Sequence, residues 1–286
     1  MEKNYRAELT GLFGDPVDSN PTGPMEEAGY RALGLNYRYI TMRVLPEDLP
    51  VAMQAVRALH MKGVNLTMPH KIRVLPYLDE LSEAARIIGA VNTVVVREDG
   101  SLFGENTDGK GFVEALLREG KHVGGTSVTI LGAGGAARAI AVECALAGAA
   151  SVTVIGRTPE KARELAELID EKTGAAGAAL AWESRIAVPE GTDILINATP
   201  VGFAADAGSR PDIDYGSVMP GMTAADVVFD PVMTPFLEEA GRRGAETVSG
   251  LGMLACQGAR NFTLWTGREA PLEVLQEALR KEFEEG

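Results

Sequence analysis

The stretch from Thr126 to Arg157 constrains this chain more than any other. Thr126-Ser-Val-Thr-Ile-Leu131 is a short β-branched run of the kind buried in parallel sheets. Gly132-Ala-Gly-Gly-Ala-Ala137 follows at once. An alanine-rich segment over 136–147 then reads as a helix stopped by Gly148, ahead of a second strand over 151–155. Glycines at such a turn let the backbone approach a pyrophosphate, and the helix N-terminus offers it unpaired N–H groups and a partial positive charge. Gly132, Ala133, Gly134, Gly135 and Ala136 are therefore expected to hold a dinucleotide, with Ala137 in the place of a replaceable third glycine. A bare tight turn is the alternative reading.

Ahead of this unit the pattern is also α/β. Strands are expected over 9–14, 37–44 and 64–67, and helices over 25–33 and 49–61, the latter closed by Gly63; a polar loop spans 15–24. This alternation predicts right-handed parallel crossovers. Asn65-Leu-Thr-Met-Pro-His-Lys71 then places polar residues where a parallel strand ends, and ligands of open α/β sheets collect there. Lys71 falls in the first turn of a helix, whose dipole disfavours a cation. Helical stretches over 74–78 and 81–88 lead to a strand over 89–96 and a polar turn over 104–111. Within that turn Asp108 reads either as an N-cap or as a functional carboxylate. Beyond the nucleotide unit, helices are expected over 159–171, 234–243, 250–265 and 272–283, strands over 193–200 and 223–229, and a mobile loop over 202–217. No linker-like segment separates these parts.

Composition excludes several functions. A net charge of −13 argues against broad nucleic-acid or anionic-membrane binding. The residues from Met1 lead into no apolar segment, and no run reaches membrane-spanning length. Cys144 and Cys256 each sit in an apolar helical pattern, as buried thiols of a cytoplasmic protein do. His60, His70 and His122 lack ligand spacing, so no metal is expected.

Six motifs in order resemble one family. Gly63-Val-Asn-Leu-Thr-Met-Pro-His-Lys71, Gly89-Ala-Val-Asn-Thr93, Gly104-Glu-Asn-Thr-Asp-Gly-Lys-Gly111, Gly132-Ala-Gly-Gly-Ala-Ala-Arg138, Asn197-Ala-Thr-Pro-Val-Gly202 and Gly252-Met-Leu-Ala-Cys-Gln-Gly-Ala259 are similar to those of the shikimate/quinate dehydrogenases. The resemblance implies a substrate domain over 1–105 and 250–286, to which the C-terminal helices return, and a Rossmann-type dinucleotide domain over 106–249. It implies reversible hydride transfer between a nicotinamide cofactor and a ring alcohol, with 3-dehydroshikimate reduced to shikimate. Lys71 and Asp108 match the family's catalytic lysine and aspartate. Here Lys71 is assigned the acid/base role and Asp108 that of its partner. Thr67, Asn92 and Gln257 match residues that hydrogen-bond the ring, and Thr199 and Gly252 fall in motifs on the cofactor side. A homodimer is left open.

Two departures bear on the substrate. The family's shikimate enzymes carry His-Ser-x-Ser-Pro after the first strand, its serines binding a carboxylate. Here Ser19-Asn20-Pro21-Thr22 stands instead, with Asn20 and Thr22 as the remaining donors and Asp18 adding negative charge. Phe229 stands where a tyrosine is common. A ring acid, an uncharged cyclitol and an amino-cyclitol all stay open, as does a non-catalytic sensor of nucleotide or ring acid. For the cofactor, Arg157, Thr158 and Lys161 suit the 2′-phosphate of NADP, whereas NAD would call for an acidic residue at this strand end.

Overall fold

The computed structural model describes residues 5–284, with side chains through 283, so the opening residues 1–4 of the expected leaderless start lie outside the described residues. The chain divides into two compact units, one running to Thr107 and resuming at Gln257, the other spanning Asp108–Cys256. Both crossings fall inside helices.

The first unit is built on a six-stranded sheet. Its elements are β1 (Glu8–Gly14), α1 (Thr22–Ala32), β2 (Tyr37–Arg43), α2 (Leu49–Ala58), β3 (Gly63–Leu66), α3 (His70–Arg73), β4 (Glu80–Leu81), α4 (Glu83–Ile88), β5 (Thr93–Val96) and β6 (Leu102–Glu105). The strand order is β2-β1-β3-β5-β6-β4. β1 pairs in parallel with β2 and β3, as the alternation predicts, but β5 runs antiparallel to both β3 and β6. The parallel crossovers expected among the first three strands are therefore present, and the antiparallel pairing begins only beyond them, where β6 follows β5 through a tight turn with no crossover helix. A core of Phe13, Leu49, Met53, Val56, Val64 and Leu66 packs α2 on one face of the sheet.

Several boundaries move for local reasons. α1 starts at Thr22, not 25, because Pro24 is tolerated in a first turn where its missing N–H costs nothing. α2 ends at Ala58 and the chain reverses through His60 at φ 51°, ahead of the expected glycine. Of the two helical stretches expected over 74–88, the second is present as α4 and the first shrinks to one turn. A single 3-10 turn over Leu75–Tyr77 is followed by the short β4, and Ser82 then caps α4 by accepting from the Ala85 N–H at 3.1 Å.

The second unit is a doubly wound sheet. α5 (Thr107–Arg118) leads to β7 (Ser127–Leu131), α6 (Gly135–Leu146), β8 (Ser151–Gly156), α7 (Pro159–Lys172), β9 (Ala176–Ala181), β10 (Ile186–Ala187), β11 (Ile194–Asn197), β12 (Ile213–Asp214), β13 (Thr223–Asp226), α8 (Pro235–Arg242), β14 (Glu246–Val248) and α9 (Gly250–Thr266). The order β14-β13-β11-β7-β8-β9 is parallel throughout, and β8 and β11 leave β7 in opposite directions. The cleft at such a reversal is where nucleotides bind. β10 and β12 form a separate two-stranded pair. The segment 202–217, expected as a mobile loop, instead carries two 3-10 turns and β12. Tyr215 is buried there, donating to the Pro211 carbonyl at 3.0 Å beneath the Arg210 guanidinium.

In the first unit, α9 and the final helix, α10 (Leu272–Glu284), pack on α1. Gly29 of α1 permits this approach, since a Cβ there would lie 2.9 Å from the Phe262 ring. Trp265 reaches back to donate to the Val94 carbonyl at 3.0 Å and leaves no room for a side chain at Gly63, where a Cβ would lie 2.2 Å from the indole nitrogen. Cys144 and Cys256 are both buried and not joined to each other. No helix among the described residues is long and apolar enough to cross a membrane.

Candidate active site

The nucleotide end of the second unit is a cavity of about 230 Å³ at the carboxyl ends of β7, β8 and β11. Gly132, Ala133 and Gly134 supply one wall and Arg157, Thr158 and Lys161 another. Thr199 closes it with Ala198 and Pro200, and so does Trp182, which sequence reasoning missed. The signal available for Trp182 was its position just past β9, a strand hidden in an alanine-glycine run. Gly135 and Ala136 begin α6 beside the cavity without lining it, and Gly252 lies on α9 against Ala115.

The glycines are not equivalent. Gly132 has φ +110°, and a Cβ on it would sit 2.8 Å from the Ala198 carbonyl, so the fold itself demands glycine there. A Cβ on Gly134 or Gly135 would meet nothing within 4 Å. Packing leaves that space open, as a turn that must admit a pyrophosphate requires. With Arg157 and Lys161 exposed at the opposite wall, the residues present fit a dinucleotide carrying an extra phosphate. Gly156 lets the end of β8 close on Ala162 and Ala133, at 3.1 and 3.5 Å from where a Cβ would stand.

Thr199 is held from behind. Its N–H and hydroxyl both reach the Asn197 side-chain oxygen, at 3.1 and 2.7 Å, and the Asn197 amide donates to Asp226 at 2.9 Å. Asp226 also accepts from the Val228 N–H at 3.0 Å and the Thr234 hydroxyl at 2.7 Å. Burial pushes its carboxyl up to about 6 against the pull of these donors.

Asp108 is the second residue of α5, not its cap, so the N-cap alternative does not hold. Gly109 brings the helix backbone against Ala139, where a Cβ would lie 2.2 Å from the carbonyl oxygen, and Lys110 pairs with Glu143 of α6 at 2.9 Å. The turn carrying Asp108 is thus fixed on α6.

In the first unit, Thr67 ends β3 and Lys71 follows on α3, half-buried. His70 anchors this turn. It is buried, its ring bonds the Val44 carbonyl at 2.8 Å, and its N–H donates to the Thr67 carbonyl at 2.8 Å. The Lys71 carbonyl accepts from the Val91 N–H at 2.8 Å. Asn92 is buried, its side-chain oxygen accepting from the Thr107 N–H at 2.8 Å and its amide donating to the Thr107 hydroxyl at 3.0 Å. Gln257 accepts from the Asn261 amide at 3.2 Å, and Asn261 in turn accepts from Thr93 and Thr107 at 2.7 and 2.8 Å. Tyr39 donates to Asn65 at 2.8 Å, and Asn65 donates to Thr93 at 3.1 Å. Tyr39, Thr107 and Asn261 were not given roles from sequence: Thr107 stands within the polar turn over 104–111 without being separated from its neighbours there. At the start of α1 the Asn20 side-chain oxygen accepts from the Thr22 N–H at 3.0 Å. Phe229 packs edge-on against Phe203, with ring centroids 5.3 Å apart.

Comparison with known proteins agrees with this arrangement. Residues 12–94 match the shikimate dehydrogenase substrate binding domain, residues 115–200 the shikimate/quinate 5-dehydrogenase family, and residues 250–280 the shikimate 5'-dehydrogenase C-terminal domain. A shikimate dehydrogenase (NADP+) of Desulforamulus reducens is 41% identical, with 99% of this chain and 98% of the relative covered. The ligand-free 5-ketofructose reductase of a Gluconobacter species superposes with a TM-score of 0.95 at 46% identity, covering 98% of this chain and all of the other. A shikimate dehydrogenase in complex with NADP+ gives 0.91 at 37% identity, covering 98% and 97%. The chain belongs to the shikimate/quinate dehydrogenase family.

Proposed function

We propose that this chain is an NADP-dependent dehydrogenase that interconverts a ring ketone and its secondary alcohol, 3-dehydroshikimate and shikimate or a quinate-type acid being the pair its relatives' names suggest. The observation that carries the reading is the cavity at the reversal of the second sheet. There an open glycine turn faces Arg157, Thr158 and Lys161 across about 230 Å³. On this reading the second unit takes the dinucleotide and the first the ring, in a cytoplasmic enzyme.

NADPH, when bound, supplies the hydride and leaves as NADP+. Lys71 gives its ammonium proton to the ketone oxygen as the carbon is reduced and recovers one in the reverse direction. Asp108 is its carboxylate partner. Thr67 and Gln257 hold ring hydroxyls, as does Asn92, which also fixes Thr107 next to Asp108 in the chain. Asn20 and Thr22 receive the far side of the ring. Gly252 borders the cofactor side. Lys71→Ala should abolish turnover while NADP binding survives; near-normal rates would remove the mechanism. Retention of Lys71 together with Asp108 speaks against a sensor, which needs no proton-transfer pair.

A second reading, an uncharged polyhydroxy ketone as substrate, is favoured by the altered Asn20-Pro21-Thr22 stretch and by the likeness to 5-ketofructose reductase. Assay of both substrate types with NADPH separates the two.

A further inference from the structure

We infer that Lys110 and Glu143 are a positioning pair for Asp108: by locking the start of α5 onto α6 they set the direction in which the Asp108 carboxylate leaves its helix. The inference rests on the dehydrogenase reading above, in which Asp108 is the partner of the proton donor, and adds to it two residues that stand outside the site.

The residues involved all lie in the second unit. Asp108 is the second residue of α5 and is half-buried. The two residues after it face α6. A Cβ on Gly109 would lie 2.2 Å from the Ala139 carbonyl oxygen and 2.6 Å from Glu143 Cγ, and the Lys110 ammonium stands 2.9 Å from Glu143 Oε1. Ala139 and Glu143 are one turn apart on the same face of α6. Glu143 therefore touches both residues that follow Asp108, its stem lying against Gly109 and its carboxylate against Lys110.

Helical geometry converts that contact into a direction. Successive residues are about 100° apart around a helix, so Asp108 and Lys110 stand on roughly opposite sides of α5. Holding Lys110 on α6 turns the Asp108 side chain away from α6. Gly109 fixes only how closely the two helices approach, since it has no side chain to resist rotation of α5 about its own axis. The ion pair supplies that resistance. The attachment also sets a separation from the cofactor end of α6. This helix begins at Gly135, after the open glycine turn, and Ala139 lies one turn further on, about 6 Å along the axis.

The burial of the pair fits a holding role. Glu143 is 7% exposed, and the Lys110 side chain 26%. An aliphatic contact would fill such a place without the cost of desolvating two charges. The contact lacks the angles of a good hydrogen bond, so charge attraction holds it.

The test breaks the pair with Glu143→Met, which keeps the length and helix preference of glutamate and leaves the Lys110 ammonium able to reach water. Misplacing a group at the reaction by about 1 Å can cost 10²-fold, so kcat for ketone reduction with NADPH should fall at least about tenfold. The dissociation constant for NADP should stay within about twofold, and the melting temperature close to that of the wild type, because the glycine turn and Arg157 are untouched. Exchanging the charges, Lys110→Glu with Glu143→Lys, should restore most of kcat. In an Asp108→Asn background, Glu143→Met should cost less than about twofold more, since the pair acts through the carboxylate already removed. Where Asp108→Asn has no measurable rate, the charge exchange decides. Wild-type kcat in Glu143→Met, a folded exchange variant that stays slow, or an equal loss in both backgrounds would overturn the inference. If the wild type reduces no ketone, the dehydrogenase reading fails by itself. Hydrogen exchange without ligand then decides the locking of α5: amides over 111–114 should exchange at least about tenfold faster in Glu143→Met and recover in the exchange variant, and unchanged protection would refute it.

Discussion

At the scale of single residues, Lys71 and Asp226 make separable demands. With Lys71 as the proposed proton donor, replacing it with alanine should lower kcat by about 10²–10⁴-fold, the usual worth of general acid catalysis. The dissociation constant for NADP, followed by quenching of Trp182, should stay within about twofold, since Lys71 is not among the residues around the nucleotide cavity. Asp226 tests the support beneath that cavity. Its carboxyl is raised from 3.8 to about 6, so the folded state holds its proton more tightly than the unfolded chain. The stability this proton lends is full below the unfolded value and fades as pH climbs through the folded one. Relative to Asp226→Asn, the wild type should lose about 3 kcal/mol between those limits, read from unfolding curves at several pH values. A difference between the two proteins that does not change with pH would contradict the assignment.

Among the elements, the glycine turn after β7 separates fold from function. Gly132→Ala forces a side chain into left-handed backbone and into the Ala198 carbonyl, and should cost about 2 kcal/mol or more of stability. Gly134→Ala meets no protein atom and should leave the melting temperature nearly unchanged while weakening NADP binding. Equal effects of the two on stability would mean that the open space is not kept for a ligand. The same strand-turn-helix unit was the most legible part of the sequence, because its β-branched run, glycines and alanine-rich helix all favour one structure. β9 was not legible. Its Ala-Gly-Ala-Ala-Leu-Ala composition has little strand propensity, and Gly177 is there because α7 packs so close that a Cβ would lie 1.9 Å from the Ala166 carbonyl. β4 and β14 are too short to show a period, and β6, the antiparallel partner of the expected strand β5, ran into the polar motif over 104–111. Of the site, residues on motif loops were readable. Trp182, Tyr39 and Asn261 acquire their places only through tertiary packing, which no local pattern encodes.

For the whole molecule, the charge distribution sets a further expectation. A chain of net charge −13 that binds a multiply charged anion must do so through local cations. Replacing both Arg157 and Lys161 with alanine should weaken NADP by about 100-fold with little effect on NAD, and the preference for NADP should shrink as salt is raised. A double variant that kept its NADP preference would place the 2′-phosphate elsewhere. Bound NADP should also stabilise the chain by about 2.7 kcal/mol at a hundredfold excess over its dissociation constant. The central claim is that this protein carries out NADPH-dependent ketone reduction with Lys71 as the proton donor. Its most direct test is NADPH oxidation by wild type and Lys71→Ala, side by side, with acidic and neutral polyhydroxy ketones. The account predicts turnover by the wild type that is lost in the variant despite intact NADPH binding; comparable rates in both, or none in the wild type with either ketone class, would contradict it.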